Sequence, residues 1–129
     1  MKHFIFKLTF FLVAITFISC EGNTTYEWKI KNDASNSIFL EIDSSFVGLN
    51  EDTILSGETK TILIYDKMGG SSNSGDAIRW GNLLIYKLND TLVKNTDLES
   101  NWTIFTEQRH KIPSDYYHEF TFKLNDSDF

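Results

Sequence analysis

Two histidines, His110 and His118, follow the first twenty residues in a chain rich in serine and aspartate. By inventory they could serve a Ser-His-Asp set, with histidine as base and a carboxylate orienting it. No Gly-x-Ser-x-Gly turn presents a nucleophile, and such sets are defined by geometry, not composition. His118 alternates with Tyr116 and Phe120, which predicts a hydrogen-bonded core or rim histidine. Asn125-Asp126-Ser127-Asp128 has oxygens suited to calcium but lacks the glycine and distal glutamate of an EF-hand loop, so it reads as a solvated tail. No catalytic residue, metal ligand or cofactor is therefore assigned, and the chain is read as not an enzyme. Trp28, Trp80 and Trp102, with Tyr26, Tyr86, Tyr116 and Tyr117, can fill a small core or stack on sugars and protein partners. Core is the expected place for most of them. Trp80, beside the Gly/Ser-rich loop 69–76, and Trp102, after a polar loop, are expected to be partly exposed and are the candidate binding residues. That loop reads as a linker-like hairpin loop, the alternative being a binding tip.

The remaining reactive side chain is Cys20, the only cysteine. Lys2 and Lys7 form a basic opening, residues 8–18 are uncharged and mostly apolar, and Ser19-Cys20 leads into the polar Glu21-Gly22-Asn23. This is the order of an export signal. As a helix, residues 8–18 would span about 16 Å, roughly half the hydrocarbon core of a bilayer. Extending the span back to Phe4 would bury Lys7, so a permanent span is not expected.

Phe17-Ile18-Ser19-Cys20 resembles the lipobox of bacterial lipoproteins, with Phe17 standing where leucine is usual. The resemblance implies a thioether-linked diacylglyceryl group on Cys20, cleavage before it, and acylation of the new amino terminus. Several chains are needed because one acyl chain anchors only marginally. Residues 1–19 are thus expected to be a lipoprotein signal peptide, 20–25 a lipidated tether, and 26–129 one domain. The rival reading is a secreted protein with an incidental cysteine at the cut site.

The signal holds two lysines and no acid, so 12 − 2 = 10 basic residues face 18 acidic ones in the remainder, a net charge of −8. An acidic surface excludes nucleic acid as an expected partner and argues against a basic membrane patch. With no second cysteine the domain must stand on its core alone.

That core is expected to be all-β. Tyr26-Glu27-Trp28-Lys29-Ile30-Lys31 alternates, as does the run 116–124, where Tyr116, His118, Phe120, Phe122 and Leu124 share one face. Ile38, Leu40 and Ile42 line a second strand, predicted to form a hairpin with the first. A short strand at Thr53-Ile54-Leu55 precedes a Ser56-Gly57 turn and a strand over 58–65. The latter is apolar on both faces and therefore expected to be central or covered. Ala77-Ile78-Arg79-Trp80 resumes the extended pattern. The runs 83–88 and 91–93, split by Asn89-Asp90, predict a tight hairpin. Trp102-Thr103-Ile104-Phe105 is a short strand, and 108–115 a polar connection. Seven to nine short strands without a helical stripe predict a single antiparallel β-sandwich.

Lysine outnumbers arginine, and asparagine, isoleucine, serine and threonine are plentiful. With the signal and the start Cys20-Glu21-Gly22-Asn23, this resembles the small lipoproteins of Bacteroidetes. Trp28-Lys29-Ile30-Lys31-Asn32, Ile54-Leu55-Ser56-Gly57-Glu58-Thr59 and Tyr117-His118-Glu119-Phe120-Thr121-Phe122 are similar to patterns in uncharacterised members of that group. The resemblance implies an immunoglobulin-like sandwich and no particular activity. Asp52-Thr53-Ile54 and Asp90-Thr91-Leu92 resemble the Bacteroidetes O-glycosylation triplet. The expected protein is a lipid-anchored, non-enzymatic binding or structural module of the cell envelope. Its expected place is the outer membrane, on either face, and its partner a protein or glycan. The alternative is an immunity protein or inhibitor of a toxin or hydrolase.

Overall fold

The computed structural model describes residues 21–42, 51–75, 83–88 and 90–129. Two four-stranded sheets face each other as a β-sandwich. Strands β1 (Asn23–Asn32), β4 (Thr59–Met68), β7 (Trp102–Lys111) and β8 (Ser114–Leu124) form the first, in the order β4-β1-β8-β7. Strands β2 (Ile38–Ile42), β3 (Glu51–Ile54), β5 (Leu83–Lys87) and β6 (Asp90–Thr91) form the second, in the order β3-β2-β5-β6. All pairings are antiparallel except β1 with β8, which run parallel. The all-β sandwich expected from the alternation is therefore the fold found, with that one parallel seam added.

The seam brings the two cleanest alternating stretches into register. Trp28 faces Phe120, Ile30 faces Phe122 and Asn32 faces Leu124. The Trp28 and Phe120 rings stack with centroids 5.0 Å apart and planes 13° apart. Ile38, Leu40, Ile54, Leu83 and Ile85 of the second sheet complete one buried cluster with them. Each such side chain removed from water stabilises the fold by about 1.5–3 kcal/mol.

Several expected connections differ. β1 and β2 do not form a hairpin but lie in opposite sheets. Their apolar faces cover each other across the sandwich, and Asn32 fixes the arch between them. Its buried amide donates to the carbonyls of Asn36 (2.9 Å) and Ile54 (3.0 Å), and its side-chain oxygen accepts from Ala34 N–H (3.0 Å). Its backbone exchanges bonds with Gly57 and Glu58. The Ser56-Gly57 turn likewise carries the chain from one sheet to the other, with Gly57 at φ +79°, a conformation that costs glycine nothing.

β4 is an edge strand, not a central one. Its register with β1 shifts between Trp28, which faces Leu63, and Lys29, which faces Thr61. Ile62 is left between them and turns into the core, while Ile64 and Tyr65 are exposed. β7 runs on to Lys111 instead of stopping at Phe105, and joins β8 through Ile112 and Pro113. Its polar second half gives no apolar alternation because it lies exposed on an edge, where ladder hydrogen bonds to β8 hold it. The β5–β6 hairpin forms with Lys87 facing Asp90, so its turn lies one residue earlier than Asn89-Asp90. β1 begins at Asn23, so the last three residues of the expected tether belong to the sheet, with Thr24 fully buried. The stretch 77–80 lies outside the described residues.

Candidate binding surfaces

The outer face of the first sheet carries a ladder of charge. Alternation that sends Trp28 inward sends Glu27 and Lys29 outward, and Tyr117 and Glu119 lie beside them on β8. Lys29 Nζ is 2.7 Å from Glu119 and 3.3 Å from Glu27. The Tyr117 hydroxyl donates to Glu27 and lies 3.1 Å from Glu119 Oε2. Thr61 and Thr121 donate to the remaining oxygens at 2.6 and 3.2 Å. The Arg109 guanidinium sits 4.0 Å from the centre of the Tyr117 ring.

These contacts fix the protonation states. The hydrogen bond to Glu119 raises the pKa of the Lys29 ammonium, outweighing burial. The same bond from Lys29 holds Glu119 below the usual carboxylate range. Burial pushes Glu27 up, but the bonds from Thr61, Tyr117 and Lys29 bring it below that range. Burial, then the bonds to Glu27 and Glu119, push Tyr117 up to about 12. Near neutrality Glu27, Glu119 and Lys29 are charged and Tyr117 is neutral, so the ladder holds a fixed electrostatic pattern.

The outer face of the second sheet is different. Phe39 on β2 faces Tyr86 on β5, with ring centroids 5.6 Å apart and planes 24° apart. They border an open cavity of about 390 Å³ with Leu40, Asp52 and Thr53. Asp52 bonds to Lys60 Nζ at 2.5 Å and accepts the Thr53 amide at 2.8 Å. The Lys60 bond, against burial, keeps Asp52 below its ordinary pKa. Leu84 is exposed on the same sheet beside Glu41. Asp52 lies on the same side of β3 as buried Ile54, and Lys60 belongs to β4 of the first sheet, so this ion pair ties the two sheets at their edge. The aromatic pair on the outer face suits stacking on a sugar ring or an amphipathic peptide side chain.

Among the expected site residues, Trp102 is not at a surface. It is 5% exposed, its indole N–H donates to the Thr96 carbonyl at 2.9 Å, and its ring packs 5.0 Å from Phe122. The expected exposure is thus corrected: Trp102 opens β7 on the inward side, where it closes one end of the core. Cys20 and Trp80 lie outside the described residues.

His118 is fully buried between Tyr26 and Tyr116. The Ser71 carbonyl, 2.8 Å away, can only accept, so Nε2 carries a proton, and Nδ1 lies 2.9 Å from the Thr106 hydroxyl. His110 is exposed on β7. The described part of loop 69–76 is fastened to the sheet. Gly69 N–H donates to Gly22 O, and the Thr24 hydroxyl donates to Gly69 O (2.6 Å) while accepting from Ser71 N–H (2.9 Å). The acids near the C-terminus tie elements together: Asp126 binds Ser35 and Lys87, and Asp128 accepts the Asn125 N–H and pairs with Lys94. Among the described residues no group of three or more His, Cys, Asp or Glu is arranged to hold a metal ion. Thr53 and Thr91, of the two glycosylation-like triplets, are both exposed.

Phe39 and Tyr86 were missed as site residues. Their signal was present: each is an aromatic on the outward side of a strand whose alternate residues point inward. No family model, curated protein sequence or solved structure matches this chain.

Proposed function

We propose that this protein is a lipid-anchored, non-enzymatic binding module of the bacterial cell envelope, held at the outer membrane through Cys20. It meets a protein or glycan partner through the Phe39–Tyr86 surface. The observation that carries this reading is the start of β1 at Asn23, three residues after Cys20. A lipid on Cys20 would hold the sandwich by one end and leave the outer face of the second sheet free at its side. The charge ladder supports a binding role, because its groups are held in one protonation state and present a constant pattern. Mass spectrometry of the protein purified from membranes tests the anchor. A mature chain beginning at lipidated Cys20 is expected, and any other start, or no lipid, overturns the reading. Paired tests against a glycan array and envelope proteins, with Phe39→Ser/Tyr86→Ser as the control, identify the partner class.

A second reading is an inhibitor or immunity protein for a basic toxin or hydrolase. It is favoured by the net charge of −8 and by the exposed Asp90, Asp97 and Glu99, which make no ion pair among the described residues. Such a surface steers basic partners at low salt. Tight, salt-sensitive binding of a basic envelope hydrolase would favour it over the first reading.

A further inference from the structure

We infer that the end of the sandwich nearest Cys20 lies directly on the bilayer, with Ile112 and Met68 entering the headgroup layer and Lys67 and Lys111 meeting lipid phosphates. The inference rests on the lipid-anchor reading of Cys20. It adds a second, protein-borne membrane contact that sets how the domain stands.

Three segments meet at this end. Gly22 O accepts from Gly69 N–H, Asn23 N–H donates to the Asp115 carboxylate at 2.8 Å, and Asn23 faces Met68 across the β1–β4 ladder. A side chain at either Gly22 or Gly70 would overlap the Ser114 carbonyl oxygen. The β7–β8 turn, the end of β4 and the start of β1 are therefore packed against one another. Ile112 protrudes from the turn at 86% exposure, and Met68 from the end of β4 at 77%. Lys67 and Lys111 flank them and make no ion pair among the described residues.

With Cys20 acylated, chain length keeps this end beside the membrane. Gly22 follows Cys20 by two residues, and an extended chain covers at most about 3.6 Å per residue, so it lies within about 7 Å of an acylated Cys20. That is about the depth of one headgroup layer, roughly 5–8 Å. Side chains that project from this end are within reach of that layer. Two exposed apolar side chains with lysines beside them suit it, the apolar atoms reaching the acyl boundary and the ammonium groups staying among phosphates.

The opposite end also exposes apolar residues, Leu88 and Val93, but in acidic surroundings. Lys87 and Lys94 there are paired with Asp126 and Asp128, while Asp90, Asp97 and Glu99 stay unpaired among the described residues. Among the described residues, unpaired charge of both signs lies at each end: Lys67 and Lys111 with Glu21, Asp66 and Asp115 at the tethered one, and Lys123 with Asp90, Asp97 and Glu99 at the other. It is the tether that selects which end meets the bilayer. The strands then rise from the membrane, and the Phe39–Tyr86 surface faces sideways along it.

The test uses the full-length, lipidated protein with single cysteines introduced by Ile112→Cys, Met68→Cys or Val93→Cys. Cys20, consumed as a thioether, leaves no competing thiol. Each variant is labelled with an environment-sensitive fluorophore and reconstituted into phosphatidylethanolamine–phosphatidylglycerol vesicles, and its mass is checked for the lipid. Labels at 112 and 68 are expected to shift to shorter emission wavelength and to lose quenching by aqueous iodide. The label at 93 is expected to keep both its emission and its quenching. Lipid present with 112 or 68 as quenchable as 93, or with all three protected, overturns the inference alone. Absence of lipid on Cys20 overturns the anchor reading and this inference with it.

Discussion

The two sheets are built to different standards. The first has strands of 10, 10, 10 and 11 residues, the second of 5, 4, 5 and 2. In the first, the β1–β8 seam is ordered on both sides: aromatic stacking inward, a satisfied charge ladder outward. In the second, only the inner side is filled, and the outer side leaves Phe39, Tyr86 and Leu84 bordering open space. The difference predicts that stability depends more on the seam of the first sheet than on the outer face of the second. A sheet that carries most of the packing lets its partner keep an unfilled aromatic surface.

The largest effect that could break this comparison is in the first sheet. Trp28 is 1% exposed and stacked on Phe120, so Trp28→Ala should cost about 3–5 kcal/mol. Phe39→Ala on the outer face of the second sheet should stay within about 1 kcal/mol. Urea unfolding midpoints would compare them, and equal costs would end the division of labour.

Next comes the joint between the sheets. Asn32→Ala removes two amide donors and one acceptor from buried or half-buried backbone partners. A loss of about 2–4 kcal/mol is expected, since each stranded group costs about 1–3 kcal/mol. A loss below about 1 kcal/mol would mean that the arch at 33–37 holds without it.

The charge ladder should set the pH limits of stability. Glu27 and Glu119 have folded pKa values below their unfolded ones. Their contribution is therefore complete above the unfolded value of about 4.3 and is lost as pH falls through the folded values. Tyr117 shifts the other way, from 10.0 to about 12. Its contribution is complete below pH 10 and is lost as pH rises toward 12. Thermal midpoints should be level between about pH 5 and 10 and fall on both sides. Glu119→Gln should flatten the acid side, and an unchanged acid side would show that the ladder contributes nothing there.

The smallest expected effect on folding is the sharpest on function. Tyr86→Ser with Phe39→Ser should shift stability by no more than about 1 kcal/mol in total and remove partner binding. Calorimetry with the identified partner would check both, and retained affinity would move the contact surface elsewhere.

The alternation in residues 26–31 and 116–124 was enough to identify two strands and their inward faces. Both faces are set by neighbours along the chain, where a period of two is written directly. The polar half of β7 was not legible, because an exposed edge strand needs no apolar residues. β4 misled because an apolar run does not tell where its strand sits in the sheet: the register shift turns Ile62 inward, while Ile64 and Tyr65 stay exposed on an edge strand. Trp102 misled because the polar residues before it suggested a surface, although its own strand begins at the core. At the site, the outward Phe39 and Tyr86 were each visible singly, but their facing positions depend on which strands pair.

The sequence by itself determined an all-β chain, the inward faces of its clearest strands, and an acidic charge balance. Tertiary structure alone decided that β1 lies parallel to β8 from the far end of the chain. It also decided that β1 and β2 sit in opposite sheets, and that Phe39 stacks on Tyr86. The physical reason is that alternation tells a strand which side to bury but not which strand to lie beside. That choice is made by the combined packing of residues far apart in the chain, such as Trp28 on Phe120, and by single fastenings such as Asn32.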